Sequence, residues 1–121
     1  MGKFMKTEDE IKLLGIKLTH TLNMVEIDEF GNAIERRHLI HSIDKVKIEI
    51  YSLEHPPPHF HVKSSILNAT FTITNCELLK GSIDTKTFKK IKYFHSLNRQ
   101  KLIEVWNQLR PTDCPVGPIE I

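Results

Sequence analysis

The sequence predicts an α+β domain: a small antiparallel sheet of three to five strands, packed on one face by a C-terminal helix pair, with an N-terminal helix and hairpin as an extension. Three observations predict it. Between Lys45 and Thr74 apolar residues recur at every second position, the signature of strands with one buried face. After Gly81 the recurrence lengthens to about 3.6, the period of an amphipathic helix. Strands that precede helices, rather than alternating with them, make an α+β domain, and 121 residues suffice for one core but not for two.

In chain order, Thr7-Glu8-Asp9-Glu10 has the form of a helix start, a Thr cap with a Glu three residues on and acids where the dipole favours them. Ile11, Leu14 and Leu18 follow at helical spacing, although Gly15 weakens that helix. Two short apolar runs, Met24–Asp28 and Ala33–Arg36, flank Glu29-Phe30-Gly31-Asn32, whose Gly and Asn tolerate positive φ, so a hairpin is expected. Val46, Ile48 and Ile50 alternate with Lys45, Lys47, Glu49 and Tyr51 as a strand. Pro56-Pro57-Pro58 cannot donate ladder hydrogen bonds and serves as a rigid connection. Phe60 and Val62 alternate with His59, His61 and Lys63, then Phe71 and Ile73 with Thr70, Thr72 and Thr74, across a turn at Ser64–Asn68. Glu77–Lys80 adds a fourth, short strand. Asp84 or Thr85 can cap a helix with Phe88, Ile91, Phe94 or His95, and Leu97 on one stripe. Asn98 can cap a second, with Leu102, Val105, Trp106 and Leu109 buried, stopped by Pro111. The expected organisation is thus an extension over residues 1–44 packed on the core, an α+β core over 45–110 and an irregular tail over 111–121, in which Ile119 and Ile121 can dock on the sheet edge.

Composition excludes more than it assigns. Forty per cent hydrophobic and 26% charged residues are far from the regime of disorder. A net charge of +2 is too mild to imply a polyanionic partner by itself. Cys76 and Cys114 lie far apart without Cys-x-x-Cys spacing, as expected of two thiols in a reducing compartment. No apolar run approaches the roughly 18 residues of a membrane span, so no membrane association and a cytoplasmic location are expected.

The block Glu54-His55-Pro56-Pro57-Pro58-His59-Phe60-His61-Val62, the strand Cys76-Glu77-Leu78-Leu79-Lys80-Gly81-Ser82 and the helix Leu97-Asn98-Arg99-Gln100-Lys101-Leu102-Ile103-Glu104-Val105-Trp106 together carry a resemblance. Over roughly residues 46–106 the chain resembles the small bacterial proteins grouped as domain of unknown function 4160. That family has no settled biochemical activity. The resemblance implies a component of a toxin–antitoxin-like or defence-associated gene pair, working with a partner protein. Residues 1–44 exceed the family pattern, and Asn98 stands where the family often has a histidine.

The histidine block supports two chemistries. His59 and His61 are two apart on a strand and share a face, while Phe60 points into the core. Two imidazoles so placed can ligate Zn or Mn, with His55 or Glu54 as third ligand or general base, and an open metal position could activate water in a hydrolase or nuclease. Equally, the rings can be hydrogen-bonded groups that hold the proline turn beside the threonine face, or an interaction surface. His20, His38 and His41 read as ordinary surface residues, and His95 borders the apolar stripe of its helix. Lys86, Lys89, Lys90, Lys92, Arg99 and Lys101 concentrate positive charge around the helix pair. That surface could meet phosphate or a partner, so nucleic-acid binding is the third reading, although lysines are also the default polar face of an amphipathic helix.

Overall fold

The computed structural model describes residues 6–51, 57–109 and 119. Its elements are α1 (Thr7–Met24), β1 (Val25–Ile27), β2 (Ala33–Glu35), β3 (Lys47–Glu49), β4 (His59–Lys63), β5 (Asn68–Thr72), β6 (Leu78–Gly81) and α2 (Thr85–Gln108). The architecture is α+β, as the two periodicities predict. β1 and β2 form a two-stranded hairpin, and β3-β4-β5-β6 a four-stranded antiparallel sheet whose strands neighbour in sequence order.

Cross-strand register divides the larger sheet into two faces, because residues directly opposite one another project to the same side. Ile48, Val62 and Ala69 stand in one row and Phe60 opposite Phe71. All are buried, in one core with Leu14, Leu18 and Leu22 of α1 and Ile91, Phe94, Leu102, Ile103, Val105 and Trp106 of α2. Helix α1, which the sequence presents as an extension, therefore supplies core leucines. It approaches closely enough that a Cβ on Gly15 would stand 3.0 Å from Val46 O and 3.5 Å from Ile48 N. Thr19 Oγ1 accepts from Val46 N at 3.0 Å, so the helix also satisfies an outward amide at the start of the edge strand β3.

The C-terminus of α1 leaves carbonyls that need partners. Val25 N donates to Thr21 O. Lys90 Nζ reaches Leu22 O at 3.4 Å. Ile40 N donates to Asn23 O and Arg36 N to Met24 O. The hairpin turn is built as its residues suggest: Asp28 Oδ1 accepts from Phe30 N and Asn32 N, and Gly31 takes φ +82°.

Three details depart from the sequence expectation. Lys6, not Thr7, occupies the N-cap of α1 and makes no side-chain cap bond; Thr7 is inside the helix and its hydroxyl donates to Gln108 Oε1. The expected helix pair is one continuous 24-residue helix. Asn98 does not cap a second helix but donates from Nδ2 to Phe94 O, four residues back, and stays half-buried between His95 and Leu102. Leu97, expected on the buried stripe, is 63% exposed. Asp84 does cap α2, accepting from Thr87 N, and those bonds hold its carboxyl below the usual range. Ile119 is held against α2 rather than at a sheet edge, exchanging two hydrogen bonds with the Asn107 amide.

Candidate functional site

β4 places its candidate histidines by simple alternation. Phe60 and Val62 point to the helices and are fully buried, while His59 and His61 project to the opposite side with ring centroids 5.1 Å apart. The two rings differ in depth. His61 is half-buried amid the polar face, whereas His59, at the first position of the strand, is 8% exposed and lies 6.1 Å from the Trp106 ring. Sequence periodicity gives the face but not that depth, since Trp106 arrives from α2.

Hydrogen bonds orient both imidazoles. Pro57 O can only accept, so the 2.7 Å contact with His59 Nδ1 puts the proton on Nδ1 and makes Nε2 the lone-pair nitrogen of the neutral ring. His61 Nδ1 lies 3.0 Å from Thr70 Oγ1, its direct cross-strand neighbour. Tyr51 closes the cluster, its ring centroid 5.1 Å from that of His61 and tilted by 56°. Glu49, opposite His61 on β3, pairs with Lys63 at 2.9 Å. That lysine's hydrogen bond holds the Glu49 carboxyl below its ordinary value, and Glu49 in turn raises the Lys63 ammonium.

Lys47, Asn68 and Lys80 complete the same face by register. A groove of about 380 Å³ runs over it, lined by His61, Lys63, Asn68, Thr70, Lys80 and Gly81. Of these, Lys63, Asn68 and Lys80 were not among the candidates the sequence singles out. The alternation Lys47–Glu49 and Thr70–Thr72 marks the face, but Lys80 joins it only through a register shift between Thr70 and Phe71 that no sequence pattern announces.

Glu54 and His55, the expected third ligand or base, lie outside the described residues, as does Cys114. Among the described residues, no three His, Cys, Asp or Glu side chains stand together as a metal-holding group. The cations of α2 are scattered rather than gathered. Lys90 is buried, and burial pulls its ammonium below the ordinary lysine value. Lys92 sits 4.7 Å from the centroid of the Phe88 ring, Arg99 Nε donates to Thr74 O at 2.9 Å, and Lys101 pairs with Glu10 and Glu104. Lys89 lies against the β1–β2 turn, its ammonium 2.8 Å from where a Cβ on Gly31 would stand. Lys86 remains exposed at the start of the helix.

Two buried groups outside the cluster are structural in their contacts. His95 Nε2 donates to Ile73 O at 2.5 Å and its ring stacks on Phe60; burial lowers its pKa below the ordinary histidine value. Cys76, at φ +54° in the β5–β6 turn, has its thiol pushed up to about 12 by burial.

The model of the family described as "Domain of unknown function (DUF4160)" matches residues 46–107, a segment that begins just before β3 and ends within the last turn of α2. It spans just over half of the chain and contains the whole four-stranded sheet. The chain belongs to this family. Within the family segment lie both faces of the sheet, whereas α1 and the hairpin lie outside it. No curated protein and no solved structure matches the chain. No helix among the described residues is long and apolar enough to cross a membrane.

Proposed function

We propose that this DUF4160 protein is a non-catalytic protein-interaction component of a bacterial gene pair of the toxin–antitoxin-like or defence-associated kind, working in the cytoplasm, with the polar face of its four-stranded sheet as the binding surface. The observation that carries the reading is the split within β4. Phe60 and Val62 are spent on the core, while His61 stands half-open among Glu49, Lys63, Thr70 and Tyr51, each already oriented by a neighbour. Side chains already engaged by neighbours lose less freedom on docking than free ones, which favours a recognition surface. The test is co-expression with the product of the adjacent gene. The reading expects the two to co-purify as a defined complex, and a chain that remains a solitary monomer in its presence would contradict it.

A second reading has one specific observation in its favour. Nδ1–H of His59 bonded to a backbone carbonyl is the arrangement that commonly orients a metal-ligating histidine through Nε2. A Zn- or Mn-dependent hydrolase or nuclease would use His59 and His61 as ligands, with His55 or Glu54 completing the set. Near-stoichiometric metal in protein purified without a histidine tag would favour it, and metal-free, fully folded protein would retire it. Nucleic-acid binding through α2 draws less support, because Lys90 is buried and Lys92, Arg99 and Lys101 are engaged within the chain.

A further inference from the structure

The binding surface carries a charge imbalance that points to the chemistry of its partner. Among the described residues, the strands place Lys47, Lys63 and Lys80 on the polar face with one carboxylate, Glu49. Glu49 is committed to Lys63. Neither Lys47 nor Lys80 has a carboxylate partner among the described residues. Beside them, the exposed Asn68 offers its amide along the 380 Å³ groove, while the Thr70 hydroxyl at its floor is engaged with His61. A surface with surplus cations and an amide donor is complementary to carboxylates, and such complementarity selects partners and speeds encounter more than it adds affinity.

Single-stranded nucleic acid would need the same cations together with flat ring faces for base stacking. The rings here are turned against one another instead, Tyr51 to His61 at 56° and His61 to His59 at 77°, and His59 is packed towards Trp106. They do not form a parallel stack. Resting on the interaction reading above, we infer that this face docks an acidic segment of the partner protein, whose Asp or Glu carboxylates reach Lys47 and Lys80 across the His61 groove.

The probe is a labelled poly-glutamate peptide, followed by fluorescence anisotropy against the full chain, beside an oligothymidine of equal charge. Lys47→Glu combined with Lys80→Glu is the variant, since both side chains are exposed and neither is a member of the Lys63–Glu49 pair. Lys17→Glu on the exposed side of α1 is the control. The expected result is salt-sensitive peptide binding that the double reversal weakens about tenfold and the control leaves unchanged, with circular dichroism of both variants like the parent. Undiminished peptide binding by the double variant, or tighter binding of the oligothymidine, would overturn the inference. The two levels separate in co-purification. A neighbouring-gene product retained in full by the double variant would refute the acidic segment while leaving the interaction reading intact. Peptide binding as expected, with no product retained by the parent chain, would sink the interaction reading and uphold the carboxylate chemistry of the face.

Discussion

The two faces of the four-stranded sheet are made by neighbouring residues of the same strands, yet they obey different rules. On the helix side Phe60, Val62, Ala69 and Phe71 are at most 2% exposed and are held by shape alone. On the other side Glu49, His61, Lys63 and Thr70 are held by directional bonds, and Lys47, Asn68 and Lys80 stay at the surface. Apolar packing resists any loss of volume, whereas exposed polar pairs contribute little to stability. Packing against the helices and directional polar bonding are thus separated by one step along a strand.

The comparison breaks first at the helix side. Trp106→Ala is expected to cost roughly 3 to 5 kcal/mol in urea unfolding, because a fully buried indole leaves a cavity; a loss under about 1 kcal/mol would mean that the core is wrongly located. Gly15→Ala comes next. Its Cβ would stand 3.0 Å from Val46 O, the backbone just before β3, and a loss on the order of 1 to 3 kcal/mol is expected, while an unchanged midpoint would show that α1 can withdraw without penalty.

The two histidines of β4 sharpen the contrast further. His59→Ala removes a bond to Pro57 and a ring packed near Trp106, and should cost about 1 to 2 kcal/mol. His61→Ala should cost under about 1 kcal/mol, so reversal of that order would place the deeper ring wrongly.

The smallest effect is a pH dependence on the buried side. Burial depresses the folded-state pKa of His95 below its unfolded value of about 6.5. Its contribution is therefore complete above that unfolded value and is lost as pH falls through it towards the lower folded pKa, since the unfolded chain then binds the proton more readily. Unfolding free energy should fall from pH 7.5 to pH 5, and His95→Gln should flatten part of that slope; an identical slope in the variant would refute the assignment.

Much of this was legible in the residues. The period of two located the buried side of β4, and Asp84 announced the start of α2. The continuity of α2 was misread at a single residue. Ile91, Phe94, His95, Asn98, Leu102, Val105 and Trp106 follow one unbroken helical stripe, but Asn favours caps when free and so suggested a boundary. Inside the helix its half-buried amide bonds the carbonyl four residues back. Leu97 stood off that stripe and was counted on it because the helix was divided at Asn98. The depth of His59 and the arrival of Lys80 depend on contacts across 47 residues and on a register shift, neither of which leaves a local pattern.

The most direct measurement follows one variant, His61→Ala, in two assays: urea unfolding of the chain alone and retention of the neighbouring-gene product. The account predicts stability within about 1 kcal/mol of the parent and a clear loss of the complex. An unfolded or strongly destabilised variant, or a complex retained in full, would contradict the claim that this face exists for binding and not for the fold.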